Sequence, residues 1–355
     1  MSLTKYGWSD ELAATMDELG DDALKPARVF RASADFFRVY GDDFDTEAKM
    51  SGKLRHEASS AEQLPTVGDW VAIRIVDDKM ARIERLLPRR TVLRRKVVGR
   101  RTQAQVVAAN VDLVFVVMGL DGDFNLRRLE RYLTAVRESG ARPVVVLNKS
   151  DLCEDLERHV AETRSVASGA EVLVTCCQAE EGVEALRDCF SANETAVLVG
   201  SSGVGKSTLI NQLVGSDVQE TRQVREADAK GRHTTTHREL FELPGGGLLI
   251  DSPGIRELQL WADGQSLNEA FDDVDQLAAD CRYRDCIHDA EEGCAVVAAV
   301  EAGKLEAARL KSFRELQKEL KYLEVRQSES GQREKKKKWR AIQKEYRRFT
   351  KNRDK

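Results

Sequence analysis

The spacing of apolar and polar residues changes twice along this chain, and the changes divide it. Residues 1 to 28 read as a polar lead-in with one short helix over Asp10–Leu19. From Ala27 to about Leu93 the period is two. Residues 27–32, 36–40, 69–76 and 80–86 alternate and are separated by turn residues at Gly41-Asp42-Asp43, Val67-Gly68-Asp69 and Asp77-Asp78. Short strands at this spacing predict a small all-β barrel of OB-fold size. From about 104 to 260, continuous apolar runs alternate with helical periods. The runs Val111–Met118, Arg142–Leu147, Glu171–Thr175 and Thr195–Val199 predict buried strands, and Leu126, Leu129, Leu133 and Val136 mark one face of a helix over Asn125–Ser139. Such alternation implies an α/β domain with a mainly parallel sheet, helices on both faces and ligands at the strand C-termini. Beyond about 265 the pattern is helical, with Leu305, Leu310, Phe313, Leu316, Leu320 and Leu323 as apolar points of a helix over Ala298–Ser328. The expected layout is an extension at 1–28, a barrel at 29–97, an α/β domain at 98–264, a mainly helical domain at 265–330 and a tail at 331–355.

The strand Thr195–Val199 runs into Gly200-Ser201-Ser202-Gly203-Val204-Gly205-Lys206-Ser207-Thr208, which fits the phosphate loop G-x-x-x-x-G-K-S. Glycines let successive backbone N–H groups close around an anion, and the following helix adds its N-terminal partial charge. Lys206 would reach the β- and γ-phosphates, and the Ser207 hydroxyl would ligate Mg²⁺. The strand ending at Leu147 runs into Asn148-Lys149-Ser150-Asp151. A carboxylate there can accept both N–H donors of guanine N1 and N2, a pair that adenine lacks. Asn148 would support the loop, and the Lys149 stem would cover the base face. After the phosphate-loop helix comes a polar stretch containing His233, Thr234, Thr235 and Thr236. A threonine there, taken as Thr235, suits Mg²⁺ and γ-phosphate sensing. A hairpin over Leu240–Asp251 then ends in Asp251-Ser252-Pro253-Gly254. Asp251 would hold Mg²⁺ through water, and the Gly254 N–H would meet the γ-phosphate.

Composition adds three points. The net charge of −4 over 355 residues hides a basic end: Arg333–Arg340 carries few acids, and Trp339, Tyr346 and Phe349 accompany the tail. Cations neutralise phosphates and aromatics stack on unpaired bases, so the tail and the basic stretch Pro88–Arg101 are candidate RNA contacts. The barrel is either a platform for RNA or a β-domain that only packs on its neighbour. No apolar run approaches the ~18 residues of a membrane span, and no apolar signal core opens the chain, so a cytoplasmic location is expected. Of seven cysteines, Cys153, Cys176, Cys177 and Cys189 are scattered, whereas Cys281, Cys286 and Cys294 cluster around His288. Three thiols and an imidazole at this spacing compose a closed structural site for one zinc ion per chain.

The motif order is Asn148–Asp151, then Gly200–Ser207, then Thr234–Thr236, then Asp251–Gly254. The guanine motif preceding the phosphate loop, with a β-barrel in front and a Cys/His cluster behind, resembles the ribosome small-subunit-dependent GTPase A family. The resemblance implies a circularly permuted GTPase that hydrolyses GTP to GDP and phosphate. It also implies Mg²⁺ with the nucleotide, late action on the small ribosomal subunit and its rRNA, and stimulation of turnover there. A monomer is expected. The family carries a Ser-Ala pair whose backbone contacts guanine O6, and Cys176-Cys177 stands in its place. Ile255 follows Gly254 where many GTPases place a water-orienting Gln. The resemblance gives that task to His233. Two competing readings remain at this level: a GTP-gated RNA-binding module with negligible catalysis, and a phosphate-loop ATPase or small-molecule kinase, against which Asn148–Asp151 argues.

Overall fold

The computed structural model describes residues 3–33, 36–77, 80–97, 103–179, 181–201, 203–215, 238–251, 267, 271–283, 286–289 and 291–327. Strands β1 (Lys25–Ala32), β2 (Phe37–Tyr40), β3 (Asp45–Met50), β4 (Trp70–Asp77) and β5 (Met80–Leu86) run in the order β1-β2-β3-β5-β4, and β4 pairs back onto β1. That closes a five-stranded barrel, the OB order, with β3 and β5 parallel. Its interior is filled by Ala27, Val29, Phe37, Val39, Ala48, Val71, Ile73, Ala81 and Ile83. The sequence pattern gave no sign of β3. Its inward residues are Thr46 and Ala48, too small or too polar to mark an alternation. The basic stretch is also not all linker. Residues 92–97 form β6, paired antiparallel with β7 (Gln103–Ala109) in a separate two-stranded sheet, and Leu93 is buried.

The α/β unit contributes β8 (Leu113–Gly119), β9 (Arg142–Asn148), β10 (Glu171–Thr175), β11 (Thr195–Val199), β12 (Arg238–Glu242) and β13 (Leu248–Asp251), in the order β10-β9-β8-β11-β13-β12. All pair in parallel except β12. Every residue of β8 is buried, because its two faces serve two cores. Val114, Val116 and Met118 pack with Leu129, Leu133 and Val136 of α3 (Leu126–Glu138). Leu113, Phe115 and Val117 pack with Leu186 of α5 (Val183–Asp188) and Leu209 and Leu213 of α6 (Lys206–Val214). The α3 helix starts where the sequence places it, with Asn125 Oδ1 accepting the Arg128 N–H at 3.0 Å as an N-cap.

Barrel and α/β sheet are continuous: Arg31 and Ala32 of β1 pair with Glu239 and Arg238 of β12. One buried cation pins the junction. Arg28 donates to the carbonyls of Gly68 (3.3 Å) and Asn110 (3.0 Å), to Thr195 Oγ1 (2.9 Å) and to the Tyr6 carbonyl. Burial pulls its guanidinium down to about 10, yet leaves it charged at neutral pH. The same contacts change the picture of the N-terminal lead-in. Its helix α1 (Asp10–Glu18) buries Leu12, Tyr6 is buried nearby, and Trp8 meets Trp70 edge-on at 4.7 Å.

The C-terminal unit consists of α7 (Asp272–Ala278), α8 (Ala295–Glu301) and α9 (Ala307–Gln327). The single helix expected over Ala298–Ser328 is two helices, because Gly303 adopts φ +69° after the Ala302 cap and ends the first. Arg309 docks α9 on the α/β unit. It lies between Asp273 (2.5 Å) and buried Glu130 of α3 (2.6 Å), while Ser312 Oγ donates to the other Glu130 oxygen at 2.5 Å. Burial raises the Glu130 carboxyl above its ordinary range, opposed by Ser312 and Arg309. No helix among the described residues is long and apolar enough to cross a membrane.

Arg28→Met keeps the apolar stem but leaves four oxygen acceptors at the junction without their shared donor. Unfolding free energy in denaturant should fall on the order of 3 kcal/mol. A loss under about 0.5 kcal/mol, the range of surface changes, would show that the junction does not depend on it.

Candidate functional site: a phosphate loop and a base motif on one sheet edge

Strand β11 is central in the sheet but comes after β8, β9 and β10 in the chain. Its C-terminal end therefore lies beside the ends of strands that were made earlier. Beyond the end of β11, Gly200, Gly203 and Gly205 take φ of +144°, +83° and +98°. Two of these glycines are dictated by close approach. A Cβ on Gly200 would lie 2.2 Å from the Val117 carbonyl oxygen, and one on Gly205 would lie 2.2 Å from Asn148 Nδ2. Lys206 opens α6 and donates to the Gly200 carbonyl at 2.8 Å and to that of Ser201. Ser207 and Thr208 follow, exposed, in the first turn. Asp251 ends β13, buried, two strands away from β8 across β11.

The base motif meets this loop through one side chain. Asn148 is buried at the end of β9. Its Nδ2 donates to the Val204 carbonyl at 2.7 Å, and its Oδ1 accepts from Thr175 Oγ1 at 3.0 Å and from Cys177 Sγ at 3.1 Å. Lys149 follows in the left-handed region at φ +64°, and its ammonium pairs with Asp121. Asp151 is exposed, with Cys176 Sγ donating to its Oδ1 at 3.2 Å. The two cysteine backbones differ. The Cys176 N–H donates to the Glu181 carbonyl at 3.0 Å, whereas the Cys177 N–H makes a long approach to Asn148 Oδ1 at 3.4 Å. Burial raises the Cys177 thiol above its ordinary range, so it stays protonated as a donor. Gln212 of α6 reaches back to the Cys177 carbonyl at 2.7 Å.

The structure thus brings Asn148, Lys149, Asp151, Cys176 and Cys177 to the same edge as Gly200, Ser201, Gly203, Val204, Gly205 and Lys206. Ser202, His233, Thr234–Thr236, Gly254 and Ile255 lie outside the described residues, as does the basic tail. Sequence reasoning missed Thr175, Gln212 and Asp121. Thr175 ends a predicted strand, which was a usable signal. Gln212 is a helix glutamine like any other until α6 is placed.

At the far end of the chain, Cys281, Cys286, His288 and Cys294 place their ligand atoms within 4.8 Å of one another. Cys281 and Cys294 Sγ are 3.9 Å apart, and each lies 3.6 Å from His288 Nδ1. Tetrahedral bonds of about 2.3 Å to sulfur would set sulfurs roughly 3.8 Å apart, so the donor set fits one such ion.

A chain from Syntrophotalea carbinolica named small ribosomal subunit biogenesis GTPase RsgA is 44% identical over 321 residues, covering 88% of each chain. The chain belongs to the RsgA GTPase family. That family's sequence profile matches residues 86–261. An RsgA 2 chain from Listeria monocytogenes is 39% identical over 355 residues, with all of both chains covered. The crystal structure of YjeQ from Thermotoga maritima aligns at a TM-score of 0.63 with 24% identity, over 84% of this chain and 98% of that one. The structure titled YloQ, a circularly permuted GTPase, aligns at 0.59 with 24% identity over 84% and 96%. Both likenesses are of overall fold.

Asn148→Ala removes the donor to Val204 and the acceptor of Thr175 together. Equilibrium binding of GDP should weaken by roughly 10- to 100-fold, the cost of orphaning buried polar groups. An unchanged Kd would show that phosphate loop and base motif do not depend on this bridge.

Proposed function

We propose that this chain hydrolyses GTP to GDP and phosphate and acts in maturation of the small ribosomal subunit. The observation that carries the reading is the Asn148 bridge, which fixes a guanine motif against a phosphate loop in a chain of the RsgA family. Asp151 accepts the guanine N1 and N2 donors, and the Cys177 N–H, whose approach to Asn148 is long, turns to guanine O6. Backbone N–H groups of Gly200, Ser201, Ser202, Gly203, Val204, Gly205, Lys206, Ser207 and Thr208 cradle the phosphates. The Lys206 ammonium exchanges loop carbonyls for β- and γ-oxygens and stabilises charge as water attacks the γ-phosphate in line. Ser207, Thr235 and Asp251 would hold Mg²⁺, which supplies further charge neutralisation at those oxygens. The Gly254 N–H meets the γ-phosphate. His233 positions the attacking water, since Ile255 cannot.

The domain limits given above are part of this reading, as are a monomeric state and a cytoplasmic location. The barrel, the arginines around β6 and the basic tail supply the surface for rRNA. Cys281, Cys286, His288 and Cys294 would hold zinc, which supplies folding energy to the small helical unit.

Phosphate release at saturating GTP, titrated with purified small subunits, tests the proposal. Turnover should be slow alone and rise with subunit. No rise at any subunit concentration would refute the ribosomal half of the reading. His233→Ala should keep GTP affinity and lose roughly 10²-fold of the stimulated rate. Equal stimulated rates would exclude His233 from the mechanism. Metal analysis of purified protein should find one zinc per chain. Chelation, or Cys286→Ser, should release it and loosen the C-terminal unit. Purified protein free of zinc would end that assignment.

A further inference from the structure

We propose that Asp121 is a positioning residue of the base site: its carboxylate holds the Lys149 ammonium so that the lysine stem lies along the face of a bound guanine. The inference rests on the base-site reading above and deepens it. Nothing in the motif requires an acidic partner at this place. The structure supplies one, and the local chain is shaped around it.

Asp121 lies in the turn between β8 and α3. Its Oδ2 is 2.5 Å from Lys149 Nζ, and its Oδ1 accepts the Asp123 N–H at 2.9 Å. The carboxylate is therefore held from both sides. Residue 119 also leaves room for it: a Cβ on Gly119 would lie 2.7 Å from Asp121 Oδ1, so the carboxylate as placed fits beside a glycine. The turn is tied to the base motif itself by the Leu120 N–H, which donates to the Asn148 carbonyl at 2.8 Å. On its other side, Arg128 of α3 pairs with Asp123 Oδ1 at 2.7 Å. Lys149 is equally constrained. Its backbone is left-handed, at φ +64° and ψ +43°, and a long stem has many rotamers to lose on binding. An ion pair made before the base arrives removes part of that loss. The Lys149 ammonium, followed by the Asp123 N–H, holds the Asp121 carboxyl below the ordinary carboxylate range, so it is charged wherever the protein is folded at neutral pH.

The pair is partly open to solvent, each side chain 29% exposed, so its effect is moderate and sensitive to salt. Asp121→Asn keeps the acceptor for the Asp123 N–H and removes the charge. In equilibrium titrations of the full-length chain, its Kd for GDP and for IDP should rise by the same factor, about fivefold at low salt. IDP lacks only the guanine N2 amine, so equal factors mean that a face contact, not edge recognition, has weakened. The mutant-to-wild-type ratio should shrink toward one near 1 M salt, where screening acts within about 3 Å. A displaced turn would give a ratio that salt does not change. Asp121→Glu, which keeps the charge, should stay within about twofold of wild type. Unchanged affinities in Asp121→Asn, a salt-independent loss, or an equal loss in Asp121→Glu would each overturn the inference. Asp151→Asn in the same titrations should abolish the preference for GDP over IDP. If that preference survives, the base-site reading fails, and this inference fails with it. If it is abolished while Asp121→Asn binds normally, the inference about Asp121 fails alone.

Discussion

The carboxamide of Asn148 is the contact on which the rest of the site depends. It is buried at the end of β9 and joins two segments distant in sequence: the phosphate loop through Val204, and the end of β10 with the turn directly after it through Thr175 and Cys177. A buried amide without these partners would cost about 1–3 kcal/mol, so the loops settle where they satisfy it. The geometry also explains Gly205, whose missing side chain is the space that Asn148 Nδ2 fills. Permutation of the strands leaves this contact intact. The chain makes β9 before β11, but the sheet still places their C-terminal ends on one edge, and the polar groups there have the same obligation to pair.

Around that edge the molecule is one connected body rather than a GTPase with separate attachments. The barrel extends the same sheet through β1 and β12, and Arg28 ties the N-terminal lead-in, the barrel and the start of β11 together. The helical unit is fastened to α3 by Arg309 and Glu130, a buried ion pair that is costly to break from one side. Motions of the barrel or of the helical unit relative to the sheet therefore strain contacts that lead to β11 and α3, the elements that carry the phosphate loop and flank the Asp121 turn.

Much of this was legible because the chemistry fixes residue types at short range. A glycine-rich turn before Lys206 and Ser207, and a carboxylate three residues after Asn148, can be read without a structure. Buried parallel strands such as Val111–Met118 announce themselves as apolar runs. What could not be read depends on long-range packing. Strand β3 hides because Thr46 and Ala48 face inward in a narrow barrel. The strand at 92–97 hides because its arginines dominate the composition, although Leu93 goes inside. Gly303 divides the last helices, although Leu305 to Leu316 continue the helical period beyond it. Asp121 has no motif to mark it, since only the fold brings it to Lys149. The thiols of Cys176 and Cys177 looked like a departure from the family pattern; in the structure they donate to Asp151 and Asn148, a task suited to any small donor side chain.

The central claim is that one sheet edge assembles a guanine-selective phosphate site from motifs in permuted order. The most direct measurement is competition for a fluorescent guanine nucleotide by unlabelled GDP and ADP at matched Mg²⁺. The account requires GDP to displace the label at least about 100-fold more effectively than ADP, because adenine lacks the pair of N–H donors that the Asp151 carboxylate accepts in the proposed site. Equal displacement by the two would contradict it, whatever the fold.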